Sequence, residues 1–164
     1  MNKRFLLGAC IMASFSYAAM ALAAPAYSVE SSITPMLGFN QGQFVLGLDY
    51  EKALNTHVGF GGYFAFSAEK KEADLSQVIA LGVDVKVHIG VEKWDVYARP
   101  GFGLAFASLD NESKTYLAPV LGLGVQYAVS DKTMLGIEKV TFFNWTEATD
   151  LSAEAFLATV RIKF

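Results

Sequence analysis

Past its first two dozen residues this chain has no cysteine, and its single one, Cys10, lies in a segment that reads as a leader. A disulfide scaffold and thiol chemistry are therefore excluded for the mature protein. Histidine is nearly absent: only His57 and His88 occur, which leaves little material for imidazole catalysis or a histidine-rich metal centre. Four prolines and no Pro- or Ser-rich tract give no linker, so the 164 residues form one domain. No run of 18 or more apolar residues follows residue 24, and a spanning helix is excluded. Yet 53% of the residues are hydrophobic and only 18% charged. A basic surplus is lacking too: 13 basic residues stand against 16 acidic ones. The electrostatic footprint of a nucleic-acid binder is missing, and no nucleic-acid partner is expected.

The N-terminus reads MNKRFLLGACIMASFSYAAMALAA. Lys3 and Arg4 precede an apolar stretch from Phe5 to about Met20, and Ala21-Leu22-Ala23 fits the small-x-small cleavage rule. This predicts a cleaved signal peptide over 1–23 and a mature domain over 24–164. Loss of Lys3 and Arg4 leaves 11 basic residues against 16 acidic ones, a formal charge of −5.

What the chain has in quantity is alternation. In VIALGVDVKVHIGV, residues 78–91, apolar Ile79, Leu81, Val83, Val85, Val87, Ile89 and Val91 take every second place, and Asp84, Lys86 and His88 stand between them. Side chains alternate across a strand, so this is strand periodicity. Similar segments recur near 31–40, 43–53, 57–68, 75–91, 94–108, 115–129, 133–146 and 153–164. Most are about ten residues or longer, the length a tilted membrane-crossing strand requires. LNT, VEKW and VSDK read as tight turns, whereas AEKKEAD, LDNESK and TEATDLSA read as longer polar links. Short turns on the periplasmic side and longer loops outside are the habit of outer-membrane barrels. The outward links carry Glu69, Glu72, Asp74, Asp110, Glu112, Glu147 and Asp150.

Two arrangements satisfy the alternation: apolar row inward, or apolar row toward lipid. The opposite row decides between them. It holds Gly38, Gly47, Gly59, Gly61, Gly82, Gly101, Gly103, Gly122 and Gly124, with Asp49, Glu51, His57, Asp84, Lys86, His88, Arg99, Gln126, Glu138, Arg161 and Lys163. Strand glycines facing water weaken a sheet and pack nothing. Inside a closed eight-stranded barrel, barely wide enough for its own side chains, they leave room for long ones. Asp49, Glu51, Asp84 and Glu138 also balance Lys86, Arg99, Arg161 and Lys163, as charges removed from bulk water require. The fold expected is an all-β, eight-stranded, antiparallel, up-and-down transmembrane β-barrel with a polar lumen. Lys139 is awkward, because if Glu138 points inward Lys139 meets lipid. Pro35, Pro100 and Pro119 interrupt ladder bonding and are expected at bulges or weak registers.

Aromatic residues sort toward two rims, as interface girdles do. Phe39, Phe44, Phe66, Phe106, Tyr116, Phe143, Trp145 and Phe156 fall at the outward end, and Tyr50, Trp94, Tyr97, Tyr127 and Phe164 at the other. The last strand, AFLATVRIKF, keeps Phe156, Val160, Ile162 and the terminal Phe164 in phase. With YARPGFGLAFA and APVLGLGVQYAVSDKTMLGIE, this resembles the small outer-membrane β-barrel superfamily: the OmpA transmembrane domain, OmpX/Ail and opacity-type proteins. The resemblance covers essentially the whole mature chain and implies an outer-membrane location. It also implies that Phe156, Val160, Ile162 and Phe164 form the signal read by the outer-membrane assembly machinery.

Four function classes follow. The first is a structural or surface-interaction barrel with a plugged lumen, whose partners are membrane lipid, lipopolysaccharide and a cell-surface ligand met through acidic outward loops. The second is a narrow gated pore using the lumen charges. A lipid A-modifying enzyme is third: it needs a nucleophile and base at the outer leaflet, but Ser67 and Ser108 lie at the opposite end from His57 and His88, and no His-x-Ser-Asn motif is present. A soluble lipocalin-like carrier is fourth. No cofactor is expected. A divalent metal held by His57, His88, Asp49 and Glu51 is weaker than a plain lumen salt-bridge network.

Overall fold

The computed structural model of the chain describes residues 30–40, 43–71, 74–109, 112–143 and 152–164. The leader expected over 1–23, Trp145 and the loop acids Glu72, Asp110, Glu147 and Asp150 lie outside them. Eight strands follow in order: β1 (Ser31–Asn40), β2 (Gln43–Ala53), β3 (Val58–Lys71), β4 (Asp74–Val91), β5 (Trp94–Leu109), β6 (Glu112–Ala128), β7 (Thr133–Phe143) and β8 (Ser152–Lys163). Each pairs antiparallel with the next, and β8 closes on β1. Closure removes every sheet edge, which a membrane demands because hydrocarbon satisfies no backbone group.

The register fixes the barrel's shape. From Phe39 the pairing runs through Phe44, Ala68, Gln77 and Ser108 to Ser113 on β6. In the other direction it runs through Phe156 and Lys139 to Leu123 on the same strand. The two landing points differ by 123 − 113 = 10 residues, the shear of the barrel. Eight strands with this shear tilt by about 40° to the axis.

The faces sort as the alternation predicts. In β4, Val83 and Ile89 are 53% and 63% exposed, while Asp84 and Lys86 between them are 2% and 4% exposed. Leu37, Leu48, Phe60, Leu123 and Ile137 are likewise exposed. An apolar outer wall around a charged interior belongs in hydrocarbon, so the barrel spans the membrane and the soluble-carrier alternative is overturned.

Both chain-end strands meet at one rim, where Ser31 and Phe164 exchange backbone hydrogen bonds. The three tight turns lie at this periplasmic end. In the first, Asn55 Oδ1 accepts from the backbone N–H of His57 and Val58. In the second, Glu92 and Lys93 join β4 to β5, with Glu92 at φ 55°. In the third, Ser130 Oγ accepts from Thr133 N.

Two expectations need correction. Of the two settings expected for the prolines, bulges are absent from the described pairing and local weak points in it are found. Pairing between β1 and β8 skips from Ile33 to Met36, and between β4 and β5 from Asp84 to Val87, but each resumes in unchanged register. Pro35 and Pro100 lie at these gaps, where the missing N–H removes bonds without adding a residue. Pro119 pairs with Phe102 of β5, and β6 pairs with β7 only from Val120 onward. Secondly, the links after β3 and β5 are short. β3 runs to Lys71 and β4 begins at Asp74, while β5 runs to Leu109 and β6 begins at Glu112. Alternation ceases to mark a strand where both of its faces leave lipid.

β7 pairs without interruption on both sides of Glu138 and Lys139. Glu138 points into the lumen at 3% exposure, and Lys139 faces outward. Its Nζ lies 2.9 Å from Glu154 Oε2 and 5.7 Å from the centre of the Phe156 ring. A lipid-facing Lys at the bilayer midplane costs about 2–4 kcal/mol.

Candidate functional site

The lumen holds three layers. The periplasmic layer is ionic. Arg99, on β5 and 1% exposed, is its centre. Its Nε donates to Glu138 Oε1 at 2.8 Å, and its Nη2 lies 2.7 Å from the same oxygen. Nη1 reaches Asp84 Oδ2 at 3.2 Å and Asp49 Oδ2 at 3.7 Å. One guanidinium therefore ties β5 to β7, β4 and β2 across the lumen. Tyr97 donates its hydroxyl to Glu138 Oε2 at 2.9 Å, and the Arg99 guanidinium stands 5.4 Å from the Tyr63 ring centre.

Nearer the periplasm, Lys86 pairs with Asp49 and reaches Glu51 Oε2 at 3.3 Å. Arg161 contacts Glu51 at 3.1 Å and Asp95 at 3.2 Å, and donates to Ser32 Oγ. His88 sits between two carboxylates, with Nδ1 2.8 Å from Asp95 and Nε2 3.0 Å from Glu51. An imidazolium satisfies both with donors, whereas a neutral ring has one donor only. Small residues make this crowding feasible. A Cβ on Gly59 would run into the Glu51 carboxylate, one on Gly122 into Glu138 and Arg99, and one on Gly124 into the Tyr97 ring.

Above the ions lies an apolar layer of Met36, Tyr63, Val120, Val140 and Leu157, all 6% exposed or less. Above that, a cavity of about 270 Å³ is lined by Ala65, Ala80, Ala105, Ala107, Ala118 and Ala155 with Val45, Val78 and Phe142. Ser67 donates to Gln43 Oε1 at its edge. A second cavity of about 290 Å³ forms the periplasmic mouth.

Of the residues expected in the charge network, Asp49, Glu51, Asp84, Lys86, His88, Arg99, Glu138 and Arg161 come together. Lys163 does not: it is half-buried at the periplasmic mouth and makes no ion pair with a described residue. Its neighbours Ile162 and Phe164 face lipid, but the last turn of pairing carries it past the carboxylates. Asp95 was missed and takes that place, buried between His88 and Arg161. Its signal was parity, because Trp94 and Val96 point outward. The balance is thus five carboxylates against three fixed cations and His88. Tyr97, expected in the periplasmic girdle, is buried in the lumen, and Tyr116 lines the outer cavity. Both sit one residue out of phase with the lipid-facing row.

Tyr50, Trp94 and Tyr127 are exposed near the periplasmic rim, with Trp94 and Tyr127 rings 4.9 Å apart. Phe106 is exposed and Phe66 half-exposed toward the other. Phe156, Val160, Ile162 and Phe164 share the lipid-facing row of the closing strand. The four residues weighed as a metal set are not gathered for one. His57 lies in the first turn, and Asp49 is taken by Lys86. Among the described residues, no group of three or more His, Cys, Asp or Glu is placed to hold an ion. Ser67 stands at the opposite end of the barrel from both histidines.

Among curated proteins, none matches the sequence. Among solved structures, the fold is similar to Neisserial surface protein A, with TM-score 0.60 and 15% identity over 83% of this chain and 96% of that one. It is similar to the N-terminal β-barrel domain of OprF from Pseudomonas aeruginosa, with TM-score 0.64 and 12% identity over 84% and 98%. It is also similar to the outer membrane enzyme PagL, with TM-score 0.51 and 13% identity over 80% and 98%. Such identities establish architecture alone, and one architecture hosts unrelated functions. The family model for the outer membrane protein beta-barrel domain matches residues 7–164; the chain belongs to that family and resides in the outer membrane.

Proposed function

We propose that this protein is a structural or surface-interaction barrel of the outer membrane whose lumen is closed to solutes, and that it is not an enzyme. The observation that carries the reading is Arg99, fully buried and bound to carboxylates of three other strands, beneath an apolar layer whose one polar side-chain atom is the Tyr63 hydroxyl. The two features act in series. Moving an ion past them requires breaking a buried network and then crossing a dehydrated constriction. An eight-stranded barrel is also too narrow for a water-filled channel beside its own side chains.

The non-enzymatic reading rests on the separation of both histidines from the outward serine Ser67. Three further roles belong to the reading. Tyr50, Trp94, Tyr127, Phe66 and Phe106, with Trp145, act as interface girdles toward lipid and lipopolysaccharide. Phe156, Val160, Ile162 and Phe164 present the closing strand to the assembly machinery. The outward links meet a cell-surface ligand.

Planar-bilayer recording tests the closed lumen. Protein whose folding is verified by heat-modifiable gel migration is expected to give no steady current steps. Steady nanosiemens-scale conductance would overturn the closed-lumen reading. Small steps that grow on replacing Arg99 or Glu138 by Ala would establish the gated pore instead. Mass spectra of lipid A from cells with and without the protein are expected to coincide, and a change in acylation would overturn the non-enzymatic reading.

A further inference from the structure

We infer that the β7–β8 wall around Lys139 and Glu154 is a contact surface for a second copy of this chain within the membrane. The inference does not depend on whether the lumen conducts.

The first ground is depth. Because the register advances ten residues per circuit of eight strands, one height is followed by sliding about 1.25 residues outward per strand. From Lys139 that level passes close to Leu121 on β6, Pro100 on β5, Val83 on β4 and Leu48 on β2. Each of these strands carries further lipid-facing apolar residues both above and below that level: Phe102 and Phe106 above Pro100, for instance, and Val96 and Trp94 below it. Lys139 therefore lies inside the apolar band and not at its rim. Its partner Glu154 lies only about three residues further out on β8. Both remain substantially exposed, at 42% and 47%. Glu154's own height meets β1 near Asn40 and β2 near Phe44, at the outer edge of the band, whereas Lys139 lies below it among acyl chains that offer no acceptor, so its exposed ammonium meets hydrocarbon on every side but that of Glu154.

The second ground is shape. Beside Lys139 a depression of about 550 Å³ is lined by Leu123, Val125, Ile137 and Phe156, and Gly124 at its floor adds no side chain. Ile137 and Phe156 are each 65% exposed, so one wall carries both a hollow and the side chains to fill such a hollow.

Charge selects the occupant. An anionic lipid headgroup would meet Glu154 as well as Lys139, and its phosphate belongs at the rim, above Lys139. A second copy offers one charge of each sign. A two-fold axis along the membrane normal keeps every residue at its own height. Lys139 of each copy then reaches Glu154 of the other by the same outward lean it uses within its own chain.

Energy transfer between donor- and acceptor-labelled copies in phosphatidylcholine vesicles tests this, with folding checked by heat-modifiable migration. Wild type is expected to exceed the transfer of random mixing. Lys139→Glu makes the wall doubly negative and Glu154→Lys makes it doubly positive. Each variant alone is expected to associate about tenfold more weakly or worse, the scale of one close charge pair. Mixed together, the two are expected to regain transfer, because the opposed walls then attract. Random-level transfer for wild type overturns the inference, and so does a mixture no better than its components, since a pair acting only within each chain is blind to mixing. Should either variant fail to fold, Lys139→Leu/Glu154→Leu, which strands no charge, replaces both. Lost transfer then supports the contact and unchanged transfer overturns it.

Discussion

The two halves of the lumen are built on opposite principles. Toward the periplasm the inward positions carry Arg99, Glu138, Tyr97, Lys86, Glu51 and Arg161, and glycines are spent to fit them. Toward the outside the same strands present six alanines around a cavity of about 270 Å³. Cross-strand pairing from β2 to β6 runs through both halves. The difference lies in what crosses the barrel. Ionic side chains from facing strands lock the lower half together, while above the apolar layer the lumen is left as a cavity, with the Ser67–Gln43 hydrogen bond at its edge. The wall thus closes around an unfilled stretch of lumen, and the ionic part answers a different requirement, closure or rigidity at one end.

That contrast can be broken most directly at Arg99. Replacement by Ala leaves Asp84 without its cation and Glu138 with only the Tyr97 hydroxyl, and urea unfolding in lipid vesicles is expected to register a loss of about 3–5 kcal/mol. A smaller effect is expected from Gly124→Val, which forces the Tyr97 ring from its place. Overpacking of this kind costs about 1–3 kcal/mol, and the Tyr97–Glu138 hydrogen bond should be lost with it. In the outer half the sign reverses. Ala107→Leu fills empty volume, so a gain of about 0.5–2 kcal/mol is expected in the same assay. Equal losses at positions 124 and 107 would show that the two halves are packed alike. The smallest effect belongs to the turn between β4 and β5. Glu92 holds φ 55°, a region that disfavours side chains, and Glu92→Gly is expected to raise the unfolding midpoint by an amount worth about 0.5 kcal/mol after the entropy lost to glycine.

Much of this was legible in the residues. Alternation located all eight strands, and parity placed Asp84, Lys86, Arg99 and Glu138 inside. The same rule, carried through, also places Asp95, Tyr97 and Tyr116 inside. Asp95 escaped notice because it follows a tight turn, where polar residues are expected anyway. Tyr97 and Tyr116 escaped because an aromatic near a strand end suits a girdle as well as a lumen. The reach of β3 to Lys71 and of β6 back to Glu112 had no signal, since strand segments that leave the bilayer lose the contrast between faces.

Sequence by itself determined which face each residue occupies, because a strand's period of two is a property of the local backbone. Only the closed barrel decided which residues meet. Arg99 and Glu138 are separated by 39 positions, and Glu51 and His88 by 37. Their encounter depends on strand number and shear, which no short stretch encodes. The depth of Lys139 in the apolar band and the void above Val140 arise from the same global geometry. Closing eight tilted strands fixes the height and radius of every side chain at once.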